Sequence, residues 1–189
     1  ASVLRRYRDA ILERHRVSRP VKVVIDCGNG VASLVAESLV SGLGAEVTGI
    51  FCESDGTFPN HHPDPVVDEN LADLIAAVEE HGAELGIAFD GDADRIGAVD
   101  EDGRIVRGDI LLLLFGLDAL EKYGKGMELI FDVKCSQAVP EVFEKAGGKP
   151  VMWKTGHSLI KERMKKTGAP VAGELSGHIC FKGGNNFDG

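Results

Sequence analysis

The sequence contains one dense acidic segment whose residue types and spacing suit a metal ion. The hexapeptide DGDADR at 90–95 directly follows the apolar run 85–89. Its carboxylates, on Asp90, Asp92 and Asp94, repel one another, which is tolerable where a hard divalent cation neutralises them. Arg95 ends the segment, and its planar guanidinium matches the oxygens of a phosphate. A cation beside an arginine predicts phosphoryl transfer, which depends mainly on positioning and charge neutralisation.

Two other interpretations of this acidic segment are less satisfactory. The three aspartates and Glu101 fall on ligand positions of an EF-hand calcium loop. However, Arg95 stands where that loop requires glycine, and a strand pattern precedes the segment instead of a helix. A solvated acidic turn is the simplest alternative, but it gives no reason for three carboxylates directly after a buried strand.

A second polar segment, GELSGH at 173–178, suits a sugar. Glu174 and Ser176 are two residues apart and are flanked by glycines. A carboxylate accepts hydrogen bonds from two hydroxyls, and a serine hydroxyl can donate or accept. The pair could therefore hold adjacent hydroxyls of a sugar, with a plain polar turn as the alternative.

Two more segments combine basic residues with strand or helix ends. KTGHS at 154–158 precedes a helical pattern, so the backbone amides near Gly156 suit a phosphate and His157 could transfer protons. A capped helix with a surface lysine face is the alternative. Lys134 follows another strand pattern, where partial desolvation would let it act as a base.

Two glycine- and proline-rich segments are weaker signals. Asp26-Cys27-Gly28-Asn29-Gly30 matches two glycines of a dinucleotide-binding loop, but Ser33 replaces the third, so a strand-to-helix turn is the better interpretation. FPNHHPDP at 58–65 contains two histidines and an aspartate. It could hold a metal ion, but a rigid loop braced by proline fits it better.

The elements that must position these segments alternate between strand and helix patterns. Strand patterns alternating with helices of about 10–15 residues predict an α/β fold with mostly parallel sheets. Helices are predicted at 2–16, 31–43, 69–81, 109–123, 137–146 and 157–167, and strands at 21–25, 45–51, 85–89, 96–99, 104–106, 128–131, 150–153 and 170–172. The segments 23–47 and 129–151 resemble each other, which predicts two related βαβ units. We place the boundary after residue 104.

Composition excludes several classes of protein. The chain has 189 residues and a formal net charge of -9, which argues against a nucleic-acid-binding protein. The longest apolar run, 110–117, is too short to span a membrane, and no signal peptide is evident. The four cysteines are scattered (Cys27, Cys52, Cys135 and Cys180), so neither a zinc site nor a disulfide framework is predicted, and a cytoplasmic setting is the simplest expectation.

Taken together, these segments resemble the phosphohexomutase superfamily, in particular its bacterial phosphomannomutase/phosphoglucomutases. The matching segments are FPNHHPDP, DGDADR, FDVKC at 131–135, KTGHSLIK at 154–161 and GELSGH. They occur in the family order between residues 58 and 178, and their joint occurrence is far more specific than any one of them. Leu175 stands where the family usually has methionine.

The resemblance implies a function for each segment. Asp90, Asp92 and Asp94 would hold one Mg²⁺ ion, and Arg95 would contact a phosphorylated serine. Glu174 and Ser176 would bind sugar hydroxyls. Further cleft residues would contact phosphate or transfer protons, namely Lys134, Gly156, His157 and His178. The implied reaction moves phosphate between positions 1 and 6 of mannose or glucose through a phosphoserine and a bisphosphorylated sugar, and a hexose bisphosphate serves as activator.

The resemblance covers only the second and third of the family's four domains, as segments 1–104 and 105–189. No segment resembles the phosphoserine loop of the first domain or the phosphate-binding fourth domain. We therefore expect this chain to be a central fragment that requires those two domains and is inactive alone. The Gly-rich end at 182–189 departs from the family pattern and is compatible with a truncation or a join. The alternatives are a metal-dependent sugar phosphatase and a non-catalytic sugar-phosphate-binding module.

Overall fold

The computed structural model describes residues 3–183, so the last six residues of the Gly-rich C-terminal end lie outside the described part. Contacts divide the chain between Val106 and Arg107 into two compact units. In each unit, helices pack on a mixed and mostly parallel sheet, which confirms the predicted α/β class. We describe each unit by itself.

The first unit contains a five-stranded sheet. Its strands are β1 (Lys22–Asp26), β2 (Glu46–Ile50), β3 (Leu85–Phe89), β4 (Ile96–Asp100) and β5 (Ile105–Val106). The helices are α1 (Val3–Leu12), α2 (Ala36–Gly42) and α3 (Ala72–His81). The strand order is β2-β1-β3-β4-β5; β1, β2 and β3 are parallel, β4 is antiparallel to β3, and β5 is antiparallel to β4.

The central strand β1 is buried on both faces, because alternate side chains point to opposite sides of a sheet. Val24 packs with Leu74 of α3, whereas Val23 and Ile25 pack with Ala36 of α2. Burial of each such aliphatic side chain contributes about 1.5–3 kcal/mol. The two helical layers thus fix the carboxyl end of β1, where the polar turn begins.

The helix predicted over 31–43 is interrupted. Val31–Leu34 forms a single 3₁₀ turn, Val35 leaves the helical region with φ of -142°, and α2 begins at Ala36. The Ser33 hydroxyl donates to the carbonyl of Gly30 at 2.6 Å, a local bond that competes with a regular helix start. The helix predicted over 69–81 likewise begins with a 3₁₀ turn, Asp68–Leu71, before α3.

The second unit contains a four-stranded sheet in the order β7-β6-β8-β9. Its helices are α4 (Gly108–Tyr123), α5 (Ala138–Lys145) and α6 (His157–Thr167). Its strands are β6 (Glu128–Asp132), β7 (Lys149–Trp153), β8 (Val171–Gly173) and β9 (Ile179–Phe181). The first three are parallel and β9 is antiparallel to β8, so the order β2-β1-β3-β4 of the first unit recurs here.

Two features of the second unit differ from expectation. Strand β9 was not predicted, because only three residues follow the polar segment before the Gly-rich end. The helix predicted over 109–123 begins one residue earlier, at Gly108, so Asp109 lies inside its first turn, and Arg107 precedes the helix without a side-chain cap. The buried Asp109 carboxylate instead accepts the backbone N–H of Ser136 at 2.8 Å.

Among residues 3–183, the structure contains no helix with the length and apolar character needed to cross a membrane.

Candidate functional site

The acidic segment is the loop of a β-hairpin between β3 and β4. Phe89 pairs with Ile96, and the backbone N–H of Asp90 donates to the carbonyl of Arg95 at 3.3 Å. The loop turns sharply, because the Ala93 N–H donates to the Asp90 carbonyl at 3.1 Å. Ala93 has φ of +63°, a left-handed conformation that is uncommon outside glycine. A β-branched side chain at this position would therefore be strained.

The buried Asp90 carboxylate organises the loop from inside. Its Oδ1 accepts the backbone N–H groups of Asp94 and Arg95, both at 3.0 Å, and its Oδ2 accepts Arg95 Nε at 2.7 Å. Burial raises the pKa of Asp90, but the Arg95 guanidinium and the backbone N–H groups lower it by more, so it lies below its ordinary value. Asp90 is therefore charged at neutral pH.

The three aspartates of the loop converge in a way that fits a divalent cation. Oxygens of Asp90, Asp92 and Asp94 lie within 4.8 Å of one another, and the last two side chains are exposed. Two oxygens bound to one Mg²⁺ ion at about 2.1 Å are at most about 4.2 Å apart. Because at least two of the three oxygen pairs must be neighbours in an octahedral shell, at about 3.0 Å, the oxygens need to approach by up to about 1.8 Å. Rotation of the exposed side chains can supply this.

The proline-rich loop 58–65 holds the arginine of the acidic segment. Asp64 Oδ1 accepts Arg95 Nη1 at 2.8 Å, so Arg95 is clamped between Asp64 and Asp90. Pro63 is buried, and a Cβ at Gly91 would meet its Cγ at 3.4 Å. Within residues 3–183 the structure forms no metal-type cluster at this loop. Asp64 and Pro63 thus connect the proline-rich loop to the acidic segment.

The turn after β1 packs directly against the acidic loop. The Val31 N–H donates to the Gly91 carbonyl at 3.0 Å. A Cβ on Gly30 would lie 2.8 Å from that same carbonyl oxygen, so glycine is required for the close approach. The glycines that suggested a dinucleotide loop thus have a packing role next to the acidic segment.

A buried aspartate ties the same turn to the proline-rich loop. Asp26 is fully buried at the end of β1, where its Oδ1 accepts the Gly28 N–H at 2.8 Å and its Oδ2 lies 2.9 Å from His61 Nε2. Burial raises the pKa of Asp26, while the Gly28 N–H and His61 oppose that rise. Sequence reasoning did not single out this pair.

In the second unit, the segment 173–178 is also a hairpin loop, between β8 and β9. The Glu174 N–H donates to the His178 carbonyl at 2.9 Å, and the Gly177 N–H donates to the Glu174 carbonyl at 3.1 Å. The Glu174 side chain is buried, and its Oε1 accepts the backbone N–H of Gly156. The structure thereby brings together two segments that the sequence separates by 18 positions.

Two polar side chains contact Glu174, and a third stacks on one of them. His178 Nδ1 lies 2.8 Å from Glu174 Oε2 and 2.9 Å from Ser176 Oγ, and Ser176 Oγ lies 3.5 Å from Glu174 Oε2. The ring of His157, at the start of α6, stacks on that of His178 with centroids 5.4 Å apart. Glu174, Ser176, His178, His157 and Gly156 therefore form one polar cluster, with a carboxylate, a hydroxyl and two imidazoles.

Asp132, which sequence reasoning gave no role, joins the loops around this cluster. It is buried at the end of β6. Its Oδ1 accepts the Leu175 N–H at 3.1 Å, and its Oδ2 accepts the Thr155 hydroxyl at 2.9 Å. The Cys135 thiol also donates to Oδ1, at 3.1 Å. In the sequence, two signals pointed to Asp132, namely its acidic side chain and its position at the end of a strand pattern.

Lys134 lies on the loop that follows β6, beside the Asp132 carboxylate just described. Its side chain is exposed, so Lys134 lacks the partial desolvation that we expected to let it act as a base. An exposed lysine on this loop suits a phosphate, which it can meet as a mobile point charge.

Both units match sequence profiles of one protein family. Residues 5–103 match phosphoglucomutase/phosphomannomutase alpha/beta/alpha domain II, and residues 107–189 match domain III. Together the two profiles cover nearly the whole chain. They also account for the α/β sandwich of each unit.

Curated relatives and a solved structure agree with these profiles. A phosphomannomutase/phosphoglucomutase of Pseudomonas syringae is 55% identical over 181 residues, 96% of this chain and 39% of the relative. A phosphoglucomutase of Neisseria gonorrhoeae is 53% identical over 93% of this chain and 38% of the relative. A phosphoglucomutase/phosphomannomutase family protein of Burkholderia thailandensis superposes with a TM-score of 0.94 at 46% identity, over 99% of this chain and 41% of that one.

The chain thus spans about two fifths of the length of the relatives that it matches. Two adjacent domain profiles, in family order, cover that span. The resemblance inferred from the five sequence segments is confirmed by the identity with these relatives. The chain belongs to the phosphoglucomutase/phosphomannomutase family.

Proposed function

We propose that this chain provides the two central domains of a Mg²⁺-dependent phosphohexomutase, which interconverts the 1-phosphates and 6-phosphates of mannose or glucose. The observation that supports this most directly is the convergence of three carboxylates beside the clamped Arg95 in a member of this family. The reaction would proceed through a phosphoserine and a bisphosphorylated sugar. The phosphoserine domain and the phosphate-binding fourth domain would be the partners of this chain, and a hexose bisphosphate its activator.

The first unit would bind the transferring phosphoryl group. Asp90, Asp92 and Asp94 would hold Mg²⁺, which supplies charge neutralisation at the phosphoryl oxygens when bound. An arginine has five N–H donors, and the contacts with Asp90 and Asp64 leave donors of Arg95 for a phosphate. Because those two carboxylates hold the guanidinium in place, Arg95 would orient the phosphoryl group without having to be ordered first.

The second unit would bind the sugar and manage its protons. Glu174 and Ser176 would accept and donate hydrogen bonds at sugar hydroxyls, and Gly156 would contribute backbone to the same pocket. His157 and His178, which stack on each other, would contact phosphate or transfer a proton, as would Lys134. Each of these groups can exchange a proton with a hydroxyl, as hexose phosphate transfer requires. The reaction would take place in the cytoplasm, where phosphorylated hexoses occur.

A chimeric enzyme tests this function, because a relative supplies the other two domains. Residues 3–183 would replace the matching segment of the Pseudomonas syringae enzyme, and conversion of glucose 1-phosphate and mannose 1-phosphate would be followed with Mg²⁺ and a hexose bisphosphate. We expect turnover that disappears on chelation of the metal. We also expect Glu174→Ala to lower kcat/KM for both sugars by about 10- to 150-fold, the effect of about 1.5–3 kcal/mol.

The exposed helix residue Asp118 provides the matched control, since Asp118→Ala should leave both rates unchanged. A chimera that folds, as judged by circular dichroism, but has no mutase activity would contradict the proposal. Release of inorganic phosphate from either sugar without a bisphosphate would instead support the phosphatase. Binding without turnover would support the sugar-phosphate-binding module.

A further inference from the structure

Two thiols of the first unit are in contact, although the sequence places them far apart. Cys27 Sγ and Cys52 Sγ lie 3.2 Å from each other. Cys27 is fully buried and Cys52 is half-buried, and both are free thiols. Neither residue has a part in the proposed function. The four cysteines are scattered along the sequence, but the fold brings these two together.

The two cysteines lie just beyond the ends of the adjacent parallel strands β1 and β2. Asp26 and Ile50 pair at those ends, and the Cys27 N–H donates to the Ile50 carbonyl at 3.2 Å. Cys52 follows two residues after Ile50, and its sulfur meets that of Cys27 at 3.2 Å. The sulfurs need to approach by about 1.2 Å to reach the bond length. Side-chain rotation can supply this approach.

The surroundings make Cys52 the more reactive of the two thiols. Contact with the Cys27 sulfur lowers the pKa of Cys52, while burial and the carboxylates of Glu37 and Asp26 oppose this effect. The same contact, together with burial, raises the pKa of Cys27. The thiolate is the reactive form of cysteine. Cys52 is therefore positioned as the attacking sulfur, and the buried Cys27 as its partner.

We propose that Cys27 and Cys52 form a redox modification site, at which a peroxide converts the two thiols into an intramolecular disulfide. The Cys52 thiolate attacks one peroxide oxygen and breaks the O–O bond, which gives a sulfenic acid and releases the other oxygen as water or an alcohol. The Cys27 sulfur then attacks the Cys52 sulfur, and the sulfenic oxygen leaves as water with the Cys27 proton. The thiols lose two electrons and the peroxide gains them, and a small dithiol reverses the change.

The disulfide would form at the base of the turn that supports the acidic loop. Cys27 is followed by Gly28, where an added Cβ would lie 2.8 Å from Pro63 Cβ, and the turn ends at Val31, whose N–H holds Gly91. A bond at Cys27 therefore acts on a tightly packed segment. The inference rests on the thiol contact alone and stands whether or not the chain acts in a mutase.

Peptide mapping of the oxidised chain tests this site directly. The reduced, purified 189-residue chain would be treated with stoichiometric hydrogen peroxide and then with an alkylating reagent, digested and analysed by mass spectrometry. We expect a Cys27–Cys52 cross-linked peptide, an intact mass lower by about 2 Da, and full reversal by dithiothreitol. The double variant Cys135→Ser/Cys180→Ser, which changes only the second unit, should form the same cross-link at the same rate.

Cys52→Ser provides the complementary variant, because Cys52 is only half-buried and serine is close to it in size. Its loss of thiols to peroxide should be at least about tenfold slower than in the wild-type chain. The peptide map of the wild-type chain tests the proposal even if this variant does not fold. The proposal is overturned if that map contains no Cys27–Cys52 peptide, if another cysteine pair forms first, or if Cys52 is oxidised to a sulfinic acid without cross-linking.

Discussion

Buried aspartates act in three different ways in this chain, and the neighbours of each decide which. Asp90 is charged and holds backbone N–H groups and an arginine. Asp26 faces a histidine at 2.9 Å in a fully buried position. Asp132 accepts bonds from two other loops. A buried carboxylate is costly without partners, so each is an organising centre for the polar backbone around it.

Removal of one exposed carboxylate from the acidic loop should weaken metal binding without unfolding the chain. Asp92 is exposed, and its oxygens contribute to the cluster, so Asp92→Asn removes a charged ligand and leaves the core intact. We expect the Mg²⁺ affinity of the chain to fall by at least about tenfold, as when a metal site loses a supporting group. Isothermal titration calorimetry measures this change.

The matched control for that substitution is Asp102→Asn, since Asp102 lies in an exposed turn of the same unit and contacts Arg104 at 2.6 Å. Its Mg²⁺ affinity should equal that of the wild-type chain. Equal affinities for wild type and Asp92→Asn would remove the metal assignment of the loop.

The lowered pKa of Asp90 predicts how stability depends on pH. A carboxyl group that is more acidic in the folded than in the unfolded chain stabilises the fold above its unfolded pKa, and this contribution is lost as the pH falls. We therefore expect the free energy of unfolding to decrease between about pH 5 and pH 2, and to decrease less in Arg95→Met, where the arginine that lowers the pKa is absent.

Urea denaturation at several pH values measures this difference. Arg104→Met is the control, because Arg104 is exposed and forms its ion pairs with Asp100 and Asp102, away from Asp90. If Arg95→Met and the wild-type chain lost stability in parallel over this range, the contact between Arg95 and Asp90 would have no influence on the acid transition.

At the scale of elements, both candidate loops occupy the same place in the topology. The acidic loop connects β3 to β4, and the loop with Glu174 and Ser176 connects β8 to β9. In each unit the third parallel strand is followed by an antiparallel strand, and the loop between them carries the polar side chains of the candidate site. The carboxyl end of the neighbouring central strand, β1 or β6, supplies the buried aspartate beside it.

The contact between the β1 turn and the acidic loop should be sensitive to a single methyl group. Gly30→Ala would place a Cβ 2.8 Å from the Gly91 carbonyl oxygen, and backbone cannot give way cheaply. Overpacking of this kind costs about 1–3 kcal/mol. We expect lower stability to urea and weaker Mg²⁺ binding together, because the loop that holds the carboxylates must shift.

Gly56→Ala is the matched control for this contact, since a Cβ at Gly56 would meet no atom within 4 Å. Its stability should remain within about 0.5 kcal/mol of wild type. A Gly30→Ala chain with unchanged stability and Mg²⁺ affinity would show that the turn and the loop are not mechanically linked.

Asp132 should be needed for order in three loops of the second unit. Asp132→Asn keeps the shape of the side chain. It removes the negative charge that accepts hydrogen bonds from the Leu175 N–H and the Thr155 hydroxyl. Hydrogen bonds to charged groups contribute about 1.5–3 kcal/mol, so the free energy of unfolding should fall by about that amount. Faster hydrogen exchange at Leu175 is the specific readout.

The same substitution at an exposed helix position, Asp118→Asn, should change neither quantity. If hydrogen exchange at Leu175 were the same in Asp132→Asn as in the wild-type chain, Asp132 would not organise the loop.

Much of this organisation was predictable from the sequence. The alternation of strands and helices and the alternate spacing of the three aspartates are local patterns, and both predicted what the structure contains. Contacts between distant segments were not predictable, because nothing local encodes them. The bond from Gly156 to Glu174, the clamp of Asp64 on Arg95 and the meeting of Cys27 with Cys52 all depend on register between strands.

At the scale of the whole molecule, each unit has its own sheet and its own buried side chains, among them Leu74 and Val24 in the first and Ile130 and Met164 in the second. About 190 residues suffice for two such cores. We therefore expect the 189-residue chain to fold cooperatively by itself. Circular dichroism and urea denaturation of the purified chain measure this.

Folding alone should not be enough for catalysis. Without a serine nucleophile domain the phosphoryl group has no carrier, and three loop carboxylates alone should bind Mg²⁺ weakly, because it prefers near-octahedral coordination. We expect no glucose 6-phosphate when the chain is incubated with glucose 1-phosphate, Mg²⁺ and a bisphosphate activator. Conversion above that of an Asp92→Asn chain would mean that a nucleophile lies within these residues.

The internal bonds of the acidic loop have a thermodynamic consequence for any ion that binds there. Because Asp90 fixes the backbone of Asp94 and Arg95 during folding, the loss of loop entropy has already occurred before an ion arrives. Ion binding then orders little protein and releases water from the ion and the carboxylates. Its entropy change should therefore be favourable and its heat capacity change small, a signature of a loop whose shape is settled by the fold.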